Sequence, residues 1–580
     1  VNKKNERLGG PHVGRRRFIL GLGLGGIAMG LDLPGQLAVG APAARPRELS
    51  GSQLVLDVSE LPVDFTGRRR VATVVNGQLP APLLRLREGE QVSILVRNHL
   101  SVPTSLHWHG LIVPADMDGV PGLSFDGIAP GQSYLYRFAV NQSGTYWYHA
   151  HSRFQEQTGL FGPIVIEPKA GERHRADRDY VVLLADWTDE DPEHIYATLK
   201  KQGDAYNYGK QTVGDFIRDA RGEGVRSALA QRSMWNRMRM DRTDLADVSG
   251  ATFTYLMNGV TPVGNWTCAF SAGEKVRLRF INGSSMSFFD VRIPGLAMTV
   301  VAADGQDIEP VTVDEFRFGA AETYDVIVQP DADRAYTIFA QSIDRSGYAR
   351  GTLAPAPGMT AAVPAMDARP MLGMADMMGA MGAMTGIGGM PGMNAHDMQN
   401  MSGTAAGDMD HASMQHTGNP GVDMKVSMPR TNLDDPGVGL RGNGRRVLAY
   451  ADLHGVDSPI SPGVEREMTL RLTGNMERYM WSIDGVPYAE APPIRLRLGE
   501  HVRFTLVNDT MMHHPMHLHG MWSELEAPDG TYLARKHTVT VQPAQQVSYR
   551  VSADAAGRWA YHCHMLYHME AGMFRAVVVA

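Results

Sequence analysis

The feature that most constrains the fold is a phrase that occurs three times. Asn76-Gly77 leads to Gly89-Glu90-x-Val92 and then to Asn98; Asn258-Gly259 leads to Gly273-Glu274-x-Val276 and Asn282; Asp484-Gly485 leads to Gly499-Glu500-x-Val502 and Asn508. In each copy nine positions separate the glycine of Gly-Glu from the final asparagine. Between them residues alternate, as in Val276-Arg277-Leu278-Arg279-Phe280. Period-two alternation after a Gly-Glu turn is the pattern of a half-buried strand. Three copies spread over 580 residues predict three β-sandwich domains, since one core cannot serve so long a chain.

The repeat also aligns the histidines. His107 lies nine positions after Asn98 and His517 nine after Asn508; His109 and His519 follow two later, where the middle copy has Val291 and Ile293. Gly144 lies five before His149 and Gly557 five before His562, so His151 matches His564. No histidine occurs between His194 and His396. One metal cluster between the first and third domains, with the second as spacer, is the simplest geometry.

The boundaries expected are a leader at 1–43, a first domain at 48–170, a second at 178–354 and a third at 445–580. A polar, helix-like insertion at about 187–250 is expected to pack on the second domain. Residues 355–430 hold 16 of the 34 methionines, with much Gly, Ala and Pro. They are expected to form a flexible loop.

Charge and composition exclude little but are consistent. Net charge is -7 and hydrophobic content 43%, without the basic run a nucleic-acid partner needs. There are two cysteines, Cys268 and Cys563. Cys268, in a strand-like run, reads as a small buried apolar residue. Export is argued instead from Arg15-Arg16-Arg17-Phe18, a glycine-diluted apolar stretch to about Leu31, and Ala38-Val39-Gly40-Ala41-Pro42-Ala43. This is the pattern of a twin-arginine signal, handled by the twin-arginine export machinery. It is too short and glycine-rich for a stable membrane span in the mature protein.

The chemistry lies in His107-Trp108-His109, His149-Ala150-His151, His514-x-x-His517-x-His519 and His562-Cys563-His564 with His568 and Met573. On a strand, successive side chains face opposite ways. His562 and His564 therefore face one side and Cys563 the other. Cys563, His514 and His568 with an axial Met573 form the donor set of a blue copper site. Zinc has no use for the thioether. His513 competes with His514 but is placed behind it or at the surface. The other eight histidines suffice for three more copper ions. Four coppers supply the four electrons that take dioxygen to water.

These four clusters resemble those of the multicopper oxidases along all three domains. The resemblance implies cupredoxin-like Greek-key domains. It further implies that His107 and His517 are type 2 copper ligands. His109, His149, His151, His519, His562 and His564 would hold the type 3 pair, and His514, Cys563, His568 and Met573 the type 1 copper. More narrowly, the twin-arginine start, Thr252-Phe253-Thr254-Tyr255-Leu256-Met257-Asn258-Gly259 after Met238-Arg239-Met240, and the methionine-rich stretch resemble bacterial copper-resistance oxidases of the CopA/PcoA type. That implies a periplasmic enzyme, laccase-like, acting on Cu(I) and phenols.

Asp118 and Glu570 are proton-relay candidates; the alternative is that each holds a histidine in place. The run Asp408-Met409-Asp410-His411-Ala412-Ser413-Met414-Gln415-His416 concentrates soft donors, and an extra Cu(I) there is the expectation. Two other readings stand beside copper detoxification: a general laccase, and a copper-sequestering protein without turnover.

Overall fold

The computed structural model describes residues 47–377, 379, 419–461 and 463–580. The leader, and the central part of the methionine-rich stretch with His396, His411 and His416, lie outside the described residues.

Six sheets form three cupredoxin-like sandwiches. In the first, Glu48–Ser50, Leu83–Arg87, Phe161–Glu167, Gly144–His149 and His107–His109 make one sheet in that order. Arg69–Val75, Gln53–Asp64, Gln91–Asn98 and Ser133–Ala139 make the other. The middle sandwich has a six-stranded and a five-stranded sheet, and so has the last. In all three, the strand that ends at the repeated asparagine pairs in parallel with the strand that comes first along the chain in its own sheet: Gln53–Asp64 with Gln91–Asn98, Arg178–Thr188 with Val276–Asn282, Arg466–Asn475 with His501–Asn508. A parallel pair needs a crossover, hence the Greek-key connectivity.

The repeated phrase has one physical meaning in all three places. Asn76, Asn258 and Asp484 have φ of 50°, 51° and 54°, and the glycine after each is also at positive φ. This is the double left-handed turn that a tight hairpin requires. Asn98, Asn282 and Asn508 are buried and each ties a corner in the same way. The side-chain amide donates to carbonyls across the corner, as Asn98 does to Val102 and Ile128 and Asn508 to Met512 and Val541. The side-chain oxygen accepts from the amide two residues on, in Leu100, Ser284 and Thr510. The asparagine thus fixes the turn that launches the next strand, which in the outer domains carries the histidines.

Two expectations are corrected. The insertion begins later than 187, because Trp187 still belongs to the strand Arg178–Thr188. Its helices are Pro192–Leu199, Val213–Glu223 and Val225–Met238. They do not rest on the second domain alone. Lys200 Nζ donates to the Tyr479 carbonyl at 2.8 Å, Tyr196 Oη to the Glu570 carbonyl at 3.1 Å, and Arg239 pairs with Glu477. The insertion therefore covers the third domain, and Ile195, Leu199 and Trp235 are buried there in a shared apolar cluster. The stretch expected as a loop from 355 to 430 is packed at both ends. Leu372, Met377, Met424 and Val426 are buried in the same cluster.

Candidate metal centre

Cys563 ends the strand Gly557–Cys563, opposite Met516 on His514–Leu518. His568 lies on the short helix Leu566–Glu570. The Cys563 Sγ is 3.5 Å from His514 Nδ1 and 3.7 Å from His568 Nδ1, and the two Nδ1 atoms are 3.2 Å apart. The outer nitrogens fix the tautomers: His568 Nε2 donates to Asp247 Oδ2 at 2.6 Å and His514 Nε2 to Thr510 Oγ1 at 2.7 Å. Both Nδ1 lone pairs thus face the thiol. Met573 is buried, and its backbone bonds those of Cys563 and His568. Trp481 packs on the His568 ring at 3.9 Å. Burial pushes the Cys563 thiol up and His514 well down; a bound cation reverses that for the thiol.

The other eight histidines converge from four strands and the loops beyond their ends. His107–His109 pairs with Gly144–His149, which sets His107 against His149; His514–Leu518 pairs with Gly557–Cys563, which sets His517 against His562. Trp108, between the two first-domain ligands, turns inward and is fully buried. Nε2 of His107 and His517 are 3.4 Å apart, of His151 and His562 3.3 Å, of His519 and His562 3.1 Å, and of His149 and His564 3.3 Å.

Five outer nitrogens show what these close approaches mean. Nδ1 donates to the Asp118 carbonyl in His107, to the Ala150 carbonyl in His149 (with Glu156 Oε2 2.6 Å from the same nitrogen), to the His537 carbonyl in His517, to Asp118 Oδ2 in His519 and to the Cys563 carbonyl in His562. Each proton is committed outward, so each Nε2 presents a lone pair inward. Facing lone pairs at about 3.3 Å repel unless a cation lies among them. In His109 the roles are reversed: Nε2 is bonded outward and the buried Nδ1 has no partner. Among the described residues, three-residue groups with donor atoms within 4.8 Å of one another are His107/His109/His517, His109/His149/His564, His151/His519/His562, His107/Asp118/His519 and His514/Cys563/His568. Burial above all holds His109, His149, His151, His517, His519 and His564 well below the ordinary imidazole range, and His562 is pushed down to about 4. Neutral imidazoles are the form that binds metal. The residues present fit a copper cluster and a separate thiolate copper.

Comparison with known proteins agrees with this donor set. Multicopper oxidase family models match residues 57–171, 178–363 and 462–580. Copper resistance protein A of Pseudomonas syringae pv. tomato is 53% identical over 97% of this chain and 99% of its own. The Escherichia coli protein of that name is 51% identical over the same shares. The chain belongs to the multicopper oxidase family. A multicopper oxidase of Mycobacterium tuberculosis is 30% identical over 92% of this chain and 88% of its own. The laccase of Botrytis aclada shares the fold with a TM-score of 0.62, at 21% identity over 92% of this chain and 88% of that one.

Within this oxidase, Asp118 is buried at the cluster. Its Oδ2 accepts from His519 Nδ1 at 2.9 Å, and its Oδ1 lies 3.3 Å from His107 Nδ1. Gly119 makes this approach feasible: a Cβ there would meet the Leu106 carbonyl at 1.8 Å. Glu570 is placed differently from the expectation. It pairs with Arg153 at 2.5 Å, and among the described contacts its carboxylate meets no ligand ring. His513 is not at the surface. It is buried against Phe288 and pushed down to about 3 by burial and then Arg317.

Sequence reasoning missed Asp247, Thr510, Glu156 and His537. Asp247 and His537 reach ligand rings from remote segments, Glu156 lies 2.6 Å from His149 Nδ1, and Thr510, two residues past the repeated Asn508, bonds His514. Glu156 is itself pushed well up by burial and then by Asp186.

Proposed function

We propose that this oxidase uses four coppers to oxidise Cu(I) with dioxygen as acceptor, in the periplasm, as a copper-resistance enzyme. In this reading Cys563, His514, His568 and Met573 hold the type 1 copper. His107 and His517 hold the type 2 copper. The other six cluster histidines hold the type 3 pair. When bound, the coppers accept electrons singly and supply dioxygen with four. The chain provides the wiring. The Cys563 sulfur faces His514 and His568, its two neighbours are cluster histidines, and its carbonyl accepts from His562 Nδ1 at 2.9 Å. Asp118 orients His107 and His519 and is the carboxylate placed to hold a proton beside the cluster.

One observation favours a small cation as electron donor. His568 is fully buried, and its outer nitrogen meets Asp247 rather than solvent. Asp244 is buried nearby, its carboxyl pushed well up first by burial and then by the Asp247 charge. The insertion covers this side of the third domain. A cover over His568 hinders a bulky phenol more than a small cation, and the choice of Cu(I) among cations falls to soft donors. The thioethers of residues 355–430 add soft donors to collect that ion. The arginine-led leader supports export, and among the described residues no helix is long and apolar enough to cross a membrane.

Oxygen consumption by the copper-loaded protein, with Cu(I) and with a bulky phenol as donors, tests the reading. Cu(I) should be the better donor, and Asp247→Asn should slow its oxidation by about 10–100-fold. A phenol oxidised faster than Cu(I), with Asp247→Asn indifferent, would favour a general laccase. Copper bound without oxygen uptake would favour sequestration.

A further inference from the structure

The middle domain carries none of the candidate ligands, yet one of its hairpins reaches the cluster. Strands Met298–Ala303 and Gln306–Val313 are joined by Asp304-Gly305, at φ 48° and 75°. The tip abuts the first domain, since a Cβ on Gly144 would lie 2.0 Å from the Gly305 carbonyl oxygen. The Asp304 side chain, fully buried, points to the third domain. Its Oδ1 accepts from Thr323 N at 3.0 Å, which fixes the carboxylate. Its Oδ2 accepts from His537 N and Thr538 N at 3.1 Å each and pairs with the buried Lys536 Nζ at 3.1 Å.

The segment so held grips two cluster rings from different domains. His517 Nδ1 donates to the His537 carbonyl at 2.6 Å. His109 Nε2 is 3.1 Å from both His537 Nδ1 and Thr538 Oγ1. A single carboxylate of the ligand-free domain is therefore two hydrogen bonds away from one ring of the first domain and one of the third.

We propose that Asp304 is a positioning residue for the copper cluster. Through residues 536–538 it sets the angle of the His109 and His517 rings and so the geometry of the metal between the outer domains. Removing it leaves three buried amides without their acceptor and the buried Lys536 ammonium with Glu322 alone, and the 536–538 segment shifts. The inference rests on the ligand assignment given above.

The test uses the full chain, copper-loaded, as wild type, Asp304→Asn and Asp304→Ala. The readouts are the thiolate-to-copper absorption, the electron paramagnetic resonance splitting of the mononuclear cluster copper, and copper retention against a chelator. In the wild type both spectral signals are expected; absence of the cluster signal there would defeat the assignment, not the role of Asp304. Asp304→Ala should leave the thiolate band in place, change the paramagnetic splitting, and weaken cluster copper retention by about 10–100-fold. Asp304→Asn, which keeps shape and one oxygen, should fall between. An unchanged splitting and retention in both variants would overturn the proposal. So would loss of the thiolate band in both, because Asp304 would then support the whole fold rather than two rings.

Discussion

His107 Nε2 and His517 Nε2 lie 3.4 Å apart although 410 residues separate them in the chain. Each ring has its other nitrogen tied to a backbone carbonyl, so neither can turn away without breaking that bond. The two anchored rings bring the first and third domains face to face here, and the lone pairs that face each other define where a cation sits.

Replacing His517 by alanine should therefore remove the mononuclear cluster copper and leave the thiolate copper. Dioxygen turnover is expected to fall by at least about 100-fold, the upper end of what changes around a metal site cost. Copper content, read with the visible spectrum, checks it. An unaltered paramagnetic spectrum would refute the assignment of this pair.

Cys563→Ser should have the complementary effect. The serine hydroxyl is a hard, protonated group where a soft thiolate is needed. Blue absorption is expected to vanish and oxidation of any donor to stop, while cluster copper remains. Steady-state oxygen uptake decides; surviving turnover would mean that electrons take another path.

The metal-free protein should be acid-sensitive in a defined window. Burial pushes His537 and His562 down to about 4 and His513 to about 3, against 6.5 for a free imidazole. Above pH 6.5 folded and unfolded chains are both neutral at these rings. Between about 6.5 and 4 the unfolded chain binds protons that the folded chain refuses, so stability falls as pH falls. The denaturation midpoint of the apoprotein should drop steadily over that range. A midpoint independent of pH would show that these rings are not held neutral.

Arg279 bridges the first two domains from a buried position. It pairs with Asp179 at 2.7 Å, Glu172 at 2.8 Å and Asp325 at 2.9 Å, and it bonds Thr145 Oγ1 on the strand that leads to His149. Arg279→Ala strands the buried Asp325 and should cost about 3–5 kcal/mol. Denaturant titration of the metal-free variant measures this. A loss under about 1 kcal/mol, the range of solvent-exposed pairs, would mean that water reaches the gap.

Deleting residues 380–418 should lower cuprous oxidation much more than oxidation of a phenol, if the thioethers collect the substrate. Equal loss for both donors would remove that role.

Much of this was legible in the sequence because the repeat fixes both a strand and the corner at its end. Asn98 and Asn508 do the same corner-tying, so the histidines nine residues on must fall on equivalent strands, and Val291 shows the same place filled by core. Pairing His107 with His149 comes from the sheet. The parts that were not legible depend on how domains meet. Asp247 and His537 touch ligand rings only after remote segments dock, and no spacing announces them. The insertion read as helical from its composition, but its choice of the third domain rests on contacts such as Lys200 with the Tyr479 carbonyl. Glu570 lies close in sequence to His568 and Met573, yet the helical turn carries it outward to Arg153.

The most direct measurement is anomalous X-ray scattering at the copper absorption edge from crystals of the copper-loaded protein. The account predicts one peak among His514, Cys563 and His568, and three more within the ring of eight histidines shared by the outer domains. Peaks elsewhere, or a ring of histidines without copper, would contradict it.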